Sequence, residues 1–146
     1  GQTGYYGVLD PATGEMQVWE APRERLERLL ALLSDEIVLK APTRPPVSRG
    51  KAAGRSAFLR AFKAFPDLHA RSKCWAVSGD VLFIEMTFTA TIAGEVFSWD
   101  SVDRFIFRDG EAIERIAFFQ DSRAVLRQAR RNLKGWKQIF RLATGW

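Results

Sequence analysis

The chain has 146 residues, 47% of them hydrophobic, which suits one globular domain with a real core. Its longest apolar runs are far too short to cross a bilayer, and no stretch has the basic, apolar and small-residue order of a signal peptide. The single cysteine, Cys74, permits no internal disulfide and, beside a lone histidine, makes no zinc site, so a cytoplasmic protein without metal or cofactor is expected. The net charge of +5 is unevenly placed: after Asp121 come Arg123, Arg127, Arg130, Arg131, Lys134, Lys137 and Arg141 with no acid, and the rest of the chain is slightly acidic. The basic balance therefore describes a tail, and no nucleic-acid partner is expected.

In chain order, Tyr5 to Asp10 reads as the end of a helix and Pro11 to Gly14 as a loop. Pro22 to Leu33 carries Leu26, Leu29, Leu30 and Leu33 at helical spacing among charged residues, an amphipathic helix. Ile37-Val38-Leu39 is a short strand, and Ala41 to Gly50, with three prolines, reads as a loop. Lys51 to Phe65 is helical, with Phe58, Leu59, Phe62 and Phe65 on one side, and Pro66-Asp67 stops it. The period then changes. Strands are expected at 73–77, 81–92, 96–107 and 112–119, joined by turns at Ser78-Gly79-Asp80, Ala93-Gly94-Glu95 and Arg108-Asp109-Gly110, an antiparallel meander. Helices first and a sheet afterwards give an α+β domain. From Ser122 the chain is helical again, with Leu126, Ala129, Leu133, Trp136 and Phe140 as one apolar stripe opposed by the basic residues. The reading favoured for it is a helix packed along the domain or in a dimer seam; contact with an anionic membrane or an acidic partner is the lesser one.

Asp103 is the residue with no easy structural reason. In the strand Trp99 to Phe107 one face carries Trp99, Ser101, Asp103, Phe105 and Phe107, and the other carries Asp100, Val102, Arg104 and Ile106. A carboxyl group among aromatics must be hydrogen-bonded, paired or protonated. Asp121-Ser122 reads as an N-cap for the terminal helix. Neither His69, at a strand entry, nor Cys74, without an acid or base beside it in sequence, reads as catalytic.

The order helix, short strand, Pro-rich loop, helix and meander ending in Phe118-Phe119-Gln120-Asp121 resembles the nuclear transport factor 2-like superfamily, and within it the SnoaL-like proteins. The features that carry the resemblance are Leu32-Leu33-Ser34-Asp35-Glu36-Ile37-Val38-Leu39, Gly50 opening the second helix, Phe65-Pro66-Asp67-Leu68, Ser78-Gly79-Asp80, the hairpin Phe107-Arg108-Asp109-Gly110-Glu111-Ala112-Ile113, and Phe119-Gln120-Asp121-Ser122. It divides the chain into a SnoaL-like domain at 1–128 and a basic amphipathic extension at 129–146. What it implies is a cystatin-like or NTF2-like cone: a strongly bent antiparallel sheet packed on N-terminal helices around an internal apolar pocket, forming homodimers through its sheet.

Three chemistries of that superfamily can be compared by residue. The ketosteroid isomerase pattern has a tyrosine on the first helix, a base aspartate at the end of the first strand, and a neutral aspartate on a late strand. Tyr5 and Asp103 fall on the two donor positions, but the base position falls on Ala41. The epoxide hydrolase pattern is excluded, because its charged positions fall on Met86, Phe88 and Phe118. The polyketide-cyclase branch uses an acid–base aspartate, for which Asp103 or Asp121 is available. The resemblance thus implies a small hydrophobic ligand, polycyclic or carbonyl, and isomerase- or cyclase-type acid–base chemistry. Asp103 would be a neutral donor, Tyr5 its partner, and Gln120 the group orienting the ligand. Phe58, Phe62, Ile84, Met86, Phe88, Trp99, Ser101, Phe105, Ile116 and Phe118 would line the pocket. The alternative is a non-catalytic ligand-binding or dimeric interaction module.

Overall fold

The computed structural model describes residues 6–9, 16–19, 27, 30–41, 44–121 and 123–144. Strands β1 (Tyr6–Leu9) and β2 (Met16–Trp19) pair antiparallel as a separate two-stranded sheet. Tyr6 to Leu9 is therefore an arm of a β pair and not a helix end: four residues offer no helical period, while Tyr and Val favour extended chain. Glu27, Leu30 and Ala31 are helical, as the leucine spacing predicts, but Leu33 already belongs to a strand.

The main sheet contains β3 (Leu33–Ala41), β4 (Arg44–Arg49), β5 (His69–Ser78), β6 (Val81–Ile92), β7 (Glu95–Arg108) and β8 (Glu111–Phe119), in the order β4-β3-β8-β7-β6-β5. The meander β5 to β8 is antiparallel, whereas β3 lies parallel to β8, so the sheet is mixed. The proline-rich segment expected as a loop forms β4. Proline removes a ladder donor and is tolerated in a strand at a sheet edge, and β4 is the edge. Helix α1 (Lys51–Ala64) links β4 to β5, and α2 (Ala124–Ala129) and α3 (Leu133–Thr144) follow β8. None of these helices is long and apolar enough to cross a membrane.

The core forms where β6 turns Leu82, Ile84, Met86, Phe88, Ala90 and Ile92 inward, an unbroken period of two. Phe105 and Phe107 of β7 lie on the same side, with Leu30, Leu33 and Ile37 packed against them. On β8 the alternation is interrupted. Phe107 pairs with Ala112 but Ile106 pairs with Glu114, so Ile113 is an extra residue in the ladder. Such a bulge exchanges the two faces of everything beyond it. Ala112 faces in, and past the bulge Arg115, Ala117 and Phe119 face in as well, opposite Phe105, Asp103 and Ser101.

The C-terminal helical stretch is likewise two helices. Arg130 to Asn132 break it and reset its phase. Leu126 and Ala129 stay on the domain side, but Leu133, Trp136 and Phe140 are turned outward, while Gly135, Gln138, Ile139 and Leu142 face the domain. The stripe that reads as one packed face is thus divided between two directions. Gln138 fixes the rotation of α3: its amide donates to the Thr91 carbonyl at 2.8 Å and the Ala64 carbonyl at 3.2 Å, and its oxygen accepts from the Ala93 N–H at 2.9 Å. Asn132 adds a bond to the Ala93 carbonyl at 2.7 Å. These contacts hold Ala93 at φ 57°, a left-handed conformation that alanine adopts only when its surroundings over-determine it.

Candidate functional site

Between α1, the inward face of the sheet and the two C-terminal helices lies a cavity of about 410 Å³. Helix α1 contributes Phe58, Ala61 and Phe62, and the turn after it Phe65 and Leu68. The sheet contributes Phe88, Trp99, Arg115 and Phe119, and Asp121 follows β8. The remaining wall comes from Val125, Leu126 and Ala129 of α2 and from Ile139, Leu142 and Ala143 of α3. Flat rings dominate: Phe88 and Trp99 stack at 5.7 Å between centroids and 13° between planes, and Phe97 stacks on the other side of Trp99 at 6.2 Å. Such a surface suits a flat apolar molecule.

Of the expected lining, Phe58, Phe62, Phe88 and Trp99 are in the wall. Ile84, Met86, Ser101 and Phe105 are buried on the same face of the sheet but belong to the core outside the cavity wall. Ile116, Phe118 and Gln120 are on the other side. Ile116 pairs with Arg104 and Phe118 with Val102 on the outer face, Phe118 is 41% exposed, and Gln120 is exposed beyond the end of β8. The bulge at Ile113 is the cause. Gln120 meets the sheet through its backbone N–H, which donates to the Asp100 carbonyl at 3.0 Å. Tyr5 lies outside the described residues.

Asp103 is 0% exposed, as the pattern of its strand implies, but its role differs from the one expected. Ser101 Oγ donates to Oδ1 at 2.7 Å, and Arg115 donates to Oδ2 through Nε at 2.7 Å, with Nη2 at 2.5 Å. Both oxygens meet donors of the protein itself, and Asp103 is not among the residues of the cavity wall. The group presented to the cavity is its partner. The Arg115 guanidinium, 17% exposed, lies 5.9 Å from the ring centroids of both Phe58 and Phe105 and lines the wall. Buried carboxylate, guanidinium and aromatic faces thus make a fixed donor array in an apolar, low-dielectric surface. Sequence reading missed Arg115 because unbroken alternation from Ala112 would turn it outward. The signal present was an unpartnered inward acid, for which a cation across the ladder is one of the ways to satisfy it.

Asp121 is the one carboxylate of the cavity wall among the described residues. It accepts from the Arg123 N–H at 3.0 Å and pairs with the Arg127 side chain, and these contacts, the backbone bond first, hold its carboxyl below the usual range. It therefore holds the turn that leads into α2 but is not the N-cap expected there: the N-cap is Arg123, and no side chain caps the helix. Outside the cavity, Asp100 pairs with Lys73 at 3.2 Å and accepts from Thr87 at 2.7 Å. His69 Nδ1 is 3.0 Å from the Asp67 carbonyl. Cys74 is exposed on β5, and Glu85 across the ladder, 3.1 Å away, pushes its thiol up, the opposite of what a nucleophile requires. No group of three or more His, Cys, Asp or Glu among the described residues is placed to hold a metal.

Comparison with known proteins places this geometry in context. The family model of the SnoaL-like domain matches residues 16–115. A protein provisionally assigned as a SnoaL-like polyketide cyclase from Jannaschia sp. CCS1 is 18% identical, with a TM-score of 0.63 over 71% of this chain and 77% of that one. AclR from Streptomyces galilaeus, provisionally assigned as a hydroxylase, is 22% identical, with a TM-score of 0.61 over 76% and 88%. TerC, co-crystallized with polyporic acid, is 17% identical, with a TM-score of 0.65 over 73% and 87%. At these identities the likeness is one of fold. No curated protein matches the chain in sequence at a significant level.

Proposed function

The chain belongs to the SnoaL-like family, and on that premise we propose that its cavity binds a small, flat, hydrophobic carbonyl compound whose oxygen meets Arg115. The observation that carries this reading is the guanidinium set in an aromatic wall and held there by the fully buried Asp103. A ring system would stack between Phe88, Trp99 and Phe62, while the guanidinium offers directed donors to one oxygen. Because Asp103 offsets the charge of Arg115, the pair favours a neutral carbonyl in the ground state and stabilises negative charge as it develops there. The fold neighbours accord with a ligand of this kind, one being provisionally assigned as a polyketide cyclase and another crystallized with polyporic acid.

A second reading, isomerase- or cyclase-type turnover, is favoured by Asp121 standing in the same wall. Arg115 would stabilise an enolate while Asp121 moves the proton. A carboxyl held low by Arg123 and Arg127 is a weak base, so slow turnover is expected from this arrangement. A homodimer through the outer face of the sheet, where Phe83, Val102 and Phe118 are exposed, is proposed alongside.

The test is titration with a fluorescent naphthol, whose ring fits the aromatic wall and whose oxygen mimics an enol. Wild type should bind, and Ala61→Phe, which sets a further ring into the cavity from α1 and leaves both members of the Asp103–Arg115 pair in the chain, should abolish binding. Replacing the pair together by Leu and Met should leave the ring contacts and weaken binding at least tenfold, about 1.4 kcal/mol. Binding that survives Ala61→Phe would refute the cavity as the site. Binding lost in Ala61→Phe but unaffected by loss of the pair would refute the role of Arg115.

A further inference from the structure

The outward face of α3 has no role in the cavity or the core. Leu133 is 70% exposed, Trp136 49% and Phe140 59%, and they follow one another at spacings of three and four along one side of the helix. Alongside them runs a second row at the same spacings, Lys134, Lys137 and Arg141, all exposed. The ion pairs of this region use other cations, Arg127 with Asp121 and Arg131 with Glu95. No freedom of α3 to roll explains the exposure. Gln138 is bonded to the backbone of α1 and β6, and Gly135 lies so close to α2 that an added Cβ would stand 1.8 Å from the Ala129 carbonyl oxygen. The fold presents three large apolar side chains to the outside at a fixed orientation.

We propose that this face of α3 docks on an anionic lipid bilayer surface. Leu, Trp and Phe would enter the headgroup boundary while Lys134, Lys137 and Arg141 remain at the level of the phosphates, the arrangement of an interfacial helix lying in the membrane plane. Charge complementarity favours an anionic surface, since the chain beyond Asp121 carries seven cations and no acid. The Arg130 guanidinium lies 5.9 Å over the Trp136 ring, occupying one of the flat faces on which a nucleic-acid base would stack. The same helix supplies Ile139, Leu142 and Ala143 to the cavity wall, so docking would set that wall beside the bilayer. The docking itself does not depend on what the cavity binds.

The experiment is flotation of the intact protein with vesicles of phosphatidylcholine alone and of phosphatidylcholine with phosphatidylserine, at low and high salt. The protein should float with the anionic vesicles, release as salt rises, and ignore the neutral ones. Trp136→Ser with Phe140→Ser, and separately Lys137→Glu with Arg141→Glu, should each reduce binding at least about tenfold, with thermal unfolding and naphthol binding unchanged. Absence of flotation with anionic vesicles overturns the proposal. So does flotation that survives the serine pair, which would show attraction by charge alone. Sedimentation showing a dimer that the serine pair dissociates would place a second copy on this face and overturn it too.

Discussion

The pair formed by Asp103 and Arg115 should be strongly coupled and unequal in its two halves. Removing Arg115 as Met leaves a carboxylate that is 0% exposed, with Ser101 as its remaining side-chain partner. Removing Asp103 as Leu leaves a guanidinium that lines a cavity and has room to turn toward it. Breaking a buried pair typically costs about 3–5 kcal/mol, whereas replacing both members by apolar residues of similar volume is often close to neutral. Arg115→Met should therefore lie at the upper end of that range and Asp103→Leu at or below its lower end. The double variant should cost less than either, so the coupling energy should exceed the larger of the two single losses. In a domain of this size each kcal/mol moves Tm by roughly 2–4 °C, so Arg115→Met should melt about 10 °C or more below wild type. Urea unfolding followed by tryptophan fluorescence and by circular dichroism gives all four corners of the cycle. Additive single losses would refute the pairing as the organising feature of the wall. An Asp103→Leu variant weaker than Arg115→Met would refute the argument from unequal burial.

Gly135→Ala places a methyl group 1.8 Å from the Ala129 carbonyl oxygen and should destabilise by about 1–3 kcal/mol or more, despite a gain of roughly 1 kcal/mol in helix propensity; a raised Tm would contradict it. Burial raises the Asp67 carboxyl, but bonds from Thr91 outweigh it and hold it below the ordinary value. A depressed folded value contributes stability that is full above the unfolded value, about 4, and is lost as pH falls through the folded one; Asp67→Asn should flatten that acid limb in urea midpoints measured from neutral pH downward. Cys74, pushed up mainly by its bond to Glu85, should react with iodoacetamide near neutral pH more slowly than a free thiol, and Glu85→Gln should accelerate it; equal rates would remove Glu85 as the cause.

The elements most legible in the sequence are those whose period is unbroken. From Leu82 to Ile92 every second residue is apolar and every one of them is buried, and the aromatic face carrying Asp103 is the inward face of β7. The helix at Lys51 needs no tertiary partner to be read, because its phenylalanines repeat at helical spacing and Pro66 ends it. The misread segments are those that position in the sheet decides. Arg44 to Arg49 looks like a loop by composition, and only its place at the edge of the sheet allows two prolines in a strand. The parallel pairing of β3 with β8 depends on residues some 75 positions apart, beyond any local pattern.

The site was half legible for the same reason. A buried acid can be found from one strand alone, but its partner depends on the register between two strands, and one extra residue at Ile113 decides whether Arg115 or Ile116 faces Asp103. A slip of that size exchanges an unpartnered acid in an apolar pocket for an acid paired with an arginine at the wall. The C-terminal segment shows the equivalent effect in helices. Three residues, Arg130 to Asn132, change which side of the following helix meets the domain, so Ile139 and Leu142 enter the cavity wall while Trp136 and Phe140 leave it. A helix with two apolar sides and one fixed orientation has one side unexplained by folding, and in α3 the charges beside that side are Lys134, Lys137 and Arg141, with no acid.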